Sequence, residues 1–524
     1  MSRAGEKYVL AIDLGSGGPK VVLASNRGEL LAVSRQTTGT ILLPNGGAEQ
    51  DPEAWWQAVS AGIREILARQ LVPRNAIVAI CCATQWSVTV PVDRSGKHLS
   101  NAIHWMDSRG APYSKAASDG LIRVAGYGAR RLVHWLRVNG GAPTTSGADV
   151  LAHILHIKYD RPDIYRATYK FLEPMDYINL RMSGKFSATH STIFPYLITD
   201  NRNNLAVDYD PLLLRWSGID RNKLPDLIPV DSVLGPILPE VADAWGLPRS
   251  VQIVAGTGDS QAAVLGSGAV HDYQGHLCVG TSSWLSCHLP QKKTDIIHTI
   301  ATMPSAVRGK NMVVAEQGAA GKCLEVFGQQ WLFKDRPNDG EPFDLYERLF
   351  ELAAQAPAGS GGLIFLPWLN GAGPPAGTGN TRGGFLNQNL QTGREHAVRA
   401  VLEGIAYNLR WVRDAVERFV KRKFETLNFI GGGAQSPLWC QIVADVLNLP
   451  IRQVAEPNFA IARGAALNAW LALGEMNLDD VSKSVQIAGT YQPRPENRRV
   501  YDQLFNAFVS SYKSNQRMFA RLNG

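Results

Sequence analysis

Short apolar runs closed by glycine turns recur along the chain and predict buried strands. Residues 8–13 form the first, with residues 21–24 as its partner across the turn Gly15-Ser16-Gly17-Gly18-Pro19-Lys20. Residues 76–82 form another. Residues 251–255 read the same way, are broken by Gly256-Thr257-Gly258, and give way to a helix starting at Asp259, with the small Ala262 and Ala263 behind it. The opening pattern of strand, glycine, hydroxyl and strand returns at Leu277-Cys278-Val279, Gly280-Thr281-Ser282-Ser283 and Trp284-Leu285-Ser286. Two such units, at Gly15 and Gly280, suggest duplicated domains. A later strand, 427–430, runs into Gly431-Gly432-Gly433-Ala434, and Ser436-Pro437 starts the helix after it.

Helical spacing is plainest at Val398, Val401, Leu402, Ile405 and Leu409, the buried face of a long helix. Thr392-Gly393-Arg394-Glu395 in front of it reads as a capping box, and Asp51-Pro52 as a capped helix start. Arg463-Gly464-Ala465-Ala466 lies on a small-residue helix expected beneath the Gly431 turn. Residues 195–239, rich in proline, asparagine and aspartate, read as irregular connections on the first domain. Residues 496–524 read as a polar helical tail with no assigned chemistry.

Length changes this picture by requiring more than one core. At 524 residues the chain is expected to form two domains, 1–268 and 269–495, before the tail. Its 45% hydrophobic and 19% charged residues are those of a soluble globular protein. The net charge of +7 is small for this length. The densest basic run, Lys421-Arg422-Lys423, has no aromatic residues interleaved for base stacking, which argues against nucleic acid as a partner. No uncharged apolar stretch approaches the roughly 20 residues of a membrane helix, and the start lacks a signal peptide's apolar core. Cys81, Cys82, Cys278, Cys287, Cys323 and Cys440 show no CxxC spacing and are expected as buried free thiols. The histidines form no metal-ligand motif. A reducing cytoplasm is the expected compartment.

The candidate chemistry gathers at the glycine turns. Asp259, at a helix start, is either a helix cap or a catalytic base. Asp13, at a strand end, offers hard oxygens to Mg²⁺. Ser16 and Lys20 add a hydroxyl and a positive charge to a turn that does not match a Walker A loop. Trp105-Met106-Asp107-Ser108-Arg109 presents a stacking ring and two charges, read either as sugar contacts or as a structural ion pair. Glu173-Pro174-Met175-Asp176 places another carboxylate where a helix cap is the competing reading. The glycines at 431–433 allow a flat ligand against bare backbone, or close strand–helix packing.

Together these segments resemble the FGGY carbohydrate kinases, from about Tyr8 to about residue 475, with xylulose kinases nearest within the family. Residues 400–404 match the family's second signature. The resemblance implies an α/β chain of two actin-like (ribonuclease H-like) ATPase domains with an interdomain catalytic cleft. It implies transfer of the ATP γ-phosphoryl group to a sugar hydroxyl, with Asp259 as base and Asp13 and Asp259 toward Mg²⁺. Gly15, Ser16 and Lys20, with Gly280, Thr281 and Ser282, would hold the phosphates. Gly432, Gly433, Ala434 and Ser436 would hold adenosine. Gln85, Trp86, Trp105, Asp107, Arg109, Asp176 and Asp259 would line the sugar site.

The expected acceptor is a small ketose, a pentulose such as D-xylulose first. Other ketoses, or polyols of the erythritol and glycerol type, are the alternative. From a different class, an actin-like ATPase switch would turn over ATP without sugar. A homodimer stays open. The chain departs from the family at Ser16, where threonine is usual, and at Pro19. It also carries Gln85-Trp86-Ser87 for Gln-Met-His, and Ala372-Gly373 for Glu-Arg before Pro374.

Overall fold

The computed structural model describes residues 6–124, 126–295, 300–335, 343–377 and 379–523. Its first sheet has six strands, in the order Val233–Pro236, Gln252–Gly258, Ile77–Thr84, Tyr8–Gly15, Gly18–Ser25 and Leu30–Arg35. Tyr8–Gly15 pairs antiparallel with Gly18–Ser25 and parallel with Ile77–Thr84, which in turn pairs parallel with Gln252–Gly258. The central strand is buried on both faces, which is why its sequence is apolar at successive positions and not at alternate ones. Asp51 caps the helix Pro52–Ala68, accepting from the Glu53 N–H, and that helix lays Trp55, Val59, Ile63 and Ile66 against one face of the sheet.

The second sheet repeats the plan. Gly275–Val279 pairs antiparallel with Ser283–Leu289 and parallel with Leu427–Ile430, which pairs parallel with Ile451–Val454. Asn311–Gln317 extends the antiparallel side as Leu30–Arg35 does in the first sheet. The long helix Arg394–Val420 packs against this sheet and against Pro437–Leu447. It starts one residue later than a capping box at Thr392 requires. Thr392 instead closes the Asn389 turn, and the Gly393 N–H donates to His396 Nδ1 at 3.2 Å.

Three further differences from the sequence reading have local causes. The strand ending at Gly258 is not broken at Gly256. A Cβ on Gly256 would sit 1.7 Å from the Cys82 carbonyl oxygen, so glycine there lets neighbouring strands approach across a register irregularity. The helix Ala460–Ala472 begins beside the Gly431 turn, whose N–H donates to Pro457 O, but then crosses the helix Asp259–Ser267 and covers the free face of the first sheet. The terminal helix Arg498–Asn523 is amphipathic. It buries Tyr501, Leu504, Phe505, Phe508 and Tyr512 in the core of the second sheet.

All six cysteines are buried and unpaired. No helix among the described residues is long and apolar enough to cross a membrane.

Candidate active site

Three parallel strands of the first sheet end together, and their register aligns Leu14 with Thr84 and Thr84 with Gly258. Asp13 and Asp259 therefore lie at the same edge. Asp259 is the first residue of its helix, Gly258 holds the cap position, and no side chain caps this end. The Asp259 carboxylate accepts only the N–H of Ser260, at 2.6 Å, among the described bonds. A capping aspartate would reach N–H groups two or three residues on. Burial raises the Asp259 pKa to about 7, with the negative charges of Asp13 and Glu316 adding to it and the Ser260 N–H and Lys20 opposing it.

Glu316 was not singled out by the sequence. It is an exposed position of the strand Asn311–Gln317 in the second sheet, and its carboxyl pKa is raised by loss of hydration, with Ser282 opposing the shift. Asp13, Asp259 and Lys20 from one half thus share a field with Glu316 from the other. Lys20 lies directly across the ladder from Asp13 and donates to its Oδ2 at 3.0 Å. The turn, read from the sequence as Gly15 to Lys20, is tighter in the fold. Gly15 pairs with Gly18, leaving Ser16-Gly17 as a two-residue connection, and Lys20 belongs to the second strand.

Next to the Ser16 turn, Gln85 is buried and bonded to Ser16, His104 and Gln50. Trp105 is 43% exposed and donates its indole N–H to Ser16 Oγ at 3.0 Å. Asp107 is wholly buried. Its oxygens accept from the Ala48 and Arg109 N–H groups and from the Arg109 guanidinium, which also reaches Glu49. The ion-pair reading of that segment is the arrangement present. Trp86 stacks near Phe194, with centroids 6.3 Å apart, and packs against Val264 and, from the second half, Met303 and Met312. Asp176 is buried beside Thr192, with Oδ2 unbonded, and Glu173 takes the Val88 N–H in place of capping its helix. Burial drives both of these carboxyl pKa values well up. Gln261, also missed by the sequence reading, is buried with both amide atoms unbonded, close to Gly258 and Trp86.

On the opposite side, the turn Gly280-Thr281-Ser282 is backed by Ala320 and Gly321, whose N–H groups bond its carbonyls, while the Thr281 side chain faces solvent. Beside it runs the glycine turn, because the strands Gly275–Val279 and Leu427–Ile430 are parallel neighbours. A Cβ on Gly432 would meet nothing closer than Asn458 Oδ1 at 3.6 Å, whereas one on Gly433 would collide with Val279 at 2.8 Å. Ala434 is buried, and Ser436 caps the helix Pro437–Leu447. Gly432 is the glycine that borders open space.

The pattern of the FGGY family of carbohydrate kinases matches twice, its N-terminal domain over residues 8–266 and its C-terminal domain over residues 275–473. The chain is 28% identical to a xylulose kinase of Escherichia coli (strain K12), over 94% of this chain and 99% of that one. Among solved structures, a ligand-bound xylulose kinase from Lactobacillus acidophilus superposes with a TM-score of 0.85 at 24% identity, covering 98% of this chain and 100% of that one. A gluconate kinase from the same organism superposes with a TM-score of 0.84 at 23% identity, covering 99% and 100%. The two matched patterns take in the whole first sheet and the second as far as Ile451–Val454, and the chain belongs to the FGGY family of carbohydrate kinases, ATP-dependent phosphotransferases acting on sugars.

Proposed function

We propose that the acceptor is a small ketose or polyol, a pentulose before others and D-xylulose as leading candidate, and that Asp259 takes the proton of the hydroxyl being phosphorylated. The observation that carries this reading is the Asp259 carboxylate itself. It lies at the cleft edge of the first sheet, bonded only to its own helix among the described residues, and it titrates near neutrality. A base that receives its proton late in phosphoryl transfer needs position more than strength.

ATP lies with its base against Gly432 and its phosphates between the Ser16 and Thr281 turns. Mg²⁺ fits the hard oxygens of Asp13 and Asp259, and would supply charge neutralisation at the phosphates. Lys20 already occupies one Asp13 oxygen. No group of three acidic, histidine or cysteine ligands converges among the described residues. The nucleotide's own oxygens would therefore complete the shell. Asp107 holds Arg109 in place, and the Trp105 ring offers its face to the sugar. Closure of the two halves would exclude the water that competes as acceptor.

Likeness to xylulose kinases favours a pentulose, and likeness to a gluconate kinase keeps other acceptors in play. A coupled assay of ADP release against pentuloses, hexuloses, heptuloses, polyols and gluconate decides it. We expect turnover to require an acceptor and to be greatest with a pentulose. Equal ATP hydrolysis with no acceptor would favour the ATPase switch.

The nucleotide placement has its own test. Gly432→Val puts a branched side chain into the open space beside the base, and ATP affinity should fall by at least about tenfold, with folding retained. Gly433→Val is the wrong probe, because its methyl groups would enter the core against Val279 and Trp439. Unchanged ATP affinity in a folded Gly432→Val protein would move the base elsewhere.

A further inference from the structure

The hydrogen bonds around Ser16 can be assigned a direction without seeing a hydrogen. Trp55 and Trp105 are the fixed points, since an indole nitrogen only donates. Trp55 Nε1 donates to Gln50 Oε1 at 3.2 Å, so that atom of Gln50 is the carbonyl oxygen. The Gln85 atom 2.6 Å from it must then be the amide nitrogen, which turns Gln85 Oε1 toward Ser16. Trp105 donates to Ser16 Oγ at 3.0 Å, so the single hydroxyl proton of Ser16 goes to Gln85 Oε1, at 2.6 Å. His104 closes the set. Its Nδ1 accepts from the Met106 N–H at 3.4 Å, and its Nε2 donates to the same Gln85 oxygen at 3.1 Å. Gln50 braces the arrangement by donating to the Ser16 carbonyl at 2.8 Å and to Thr40 at 2.9 Å.

Ser16 is therefore no idle phosphate ligand. Its one proton is committed to Gln85, and its oxygen holds the exposed Trp105 ring. Resting on the kinase reading above, we propose that the Ser16 hydroxyl is a shared switch between nucleotide and acceptor. A phosphate oxygen arriving at the turn becomes the acceptor of the Ser16 O–H in place of Gln85 Oε1, the proton staying on Ser16 Oγ. Gln85 Oε1 is thereby freed to accept from a sugar hydroxyl, and the Trp105 indole, held by Ser16, is reset against the sugar face. Nucleotide binding then prepares the acceptor site through one hydroxyl, with Gln50 and His104 as positioning residues that keep Gln85 aimed at it. One hydrogen bond exchanged in this way should link the two affinities by about 2- to 10-fold.

The test reads Trp105 directly and needs no acceptor. The full chain, labelled with 5-fluorotryptophan, gives a fluorine resonance for Trp105 that Trp105→Phe identifies. AMP-PNP with Mg²⁺ should shift that resonance, and AMP, which lacks the β- and γ-phosphates, should not. In Ser16→Ala the resonance should no longer respond, although calorimetry still finds AMP-PNP bound with affinity reduced by about 2- to 10-fold. Ser16→Thr, which keeps the hydroxyl, should restore the response. A Trp105 signal unmoved while AMP-PNP binds, or moved equally in Ser16→Ala, overturns the switch and leaves the kinase reading standing. No binding of AMP-PNP to the unaltered protein would overturn the switch together with the nucleotide placement.

Discussion

Asp259→Asn is expected to lower kcat by about 10²–10⁴-fold with ATP affinity nearly unchanged, the loss typical of removing a positioned general base. The amide keeps the size of the side chain but cannot take the hydroxyl proton, and the turns at Ser16 and Thr281 proposed to hold the phosphates are not altered. The pH profile gives a second, independent reading. Burial and the charges of Asp13 and Glu316 hold the Asp259 pKa near 7, so kcat/KM should fall as pH drops through about 7. That limb should vanish in Asp259→Asn. Stability carries the sign that separates base from scaffold. A folded-state pKa raised above the ordinary aspartate value means that the native protein takes up a proton between the two values. The ionised carboxylate then costs stability, and the cost is fully present above about pH 7. Asp259→Asn should accordingly be as stable as the unaltered protein or more so at pH 8. Lower stability with near-normal kcat would make Asp259 structural and send the search to Asp176.

The fold was readable because each sheet's core strands are buried on both faces, so their apolar runs stand out even without periodicity. The repetition at Gly15 and Gly280 was readable because it recurs at the head of each sheet. What escaped reading depends on pairing at a distance. Nothing in the alternation of residues 311–317 marks Glu316 as a charge felt by Asp259, since that influence arises only when the halves are assembled. The same holds for Gln50 and His104. One lies next to a helix cap and the other before a conspicuous tryptophan, and only the fold brings both to Gln85. The terminal helix read as polar because its aromatic residues are spaced among charges. Their shared face becomes plain against Trp368 and Trp411 of the second half.

At the candidate site, residue types were easier to read than their partners. The sequence marks Asp107 and Arg109 as able to pair, and the pair forms with Asp107 wholly buried and Arg109 half-buried. Gly433 was singled out with its neighbours, yet the direction in which each glycine faces is a property of the turn, which carries no sequence mark. Trp86, a departure from the family pattern, packs against Met303 and Met312 of the other half as well as lying near Gly258. Its indole therefore bears on how the halves meet as much as on pocket volume.

The second large effect is expected where no chemistry occurs. Gly266 and Gly464 face each other where the helix of Asp259 crosses Ala460–Ala472, and each backbone fills the space a side chain would need. A Cβ on Gly266 would lie 1.6 Å from the Ala460 carbonyl oxygen, and one on Gly464 would lie 1.9 Å from that of Ala262. Alanine favours a helix over glycine by about 1 kcal/mol, so Gly266→Ala would stabilise an isolated helix. Here the collision is with backbone and no rotamer relieves it, so overpacking should win with a net loss of about 3 kcal/mol. The helices must separate, and Asp259 moves with the one that carries it, so kcat should fall along with the urea midpoint. Gly39→Ala, where a Cβ meets nothing within 4 Å, is the control and should leave both nearly unchanged. Because a single separation makes room for both methyl groups, Gly266→Ala and Gly464→Ala together should cost clearly less than the sum of their separate losses. Additive losses would mean that the two glycines are accommodated independently, and that the seat of Asp259 is not this crossing.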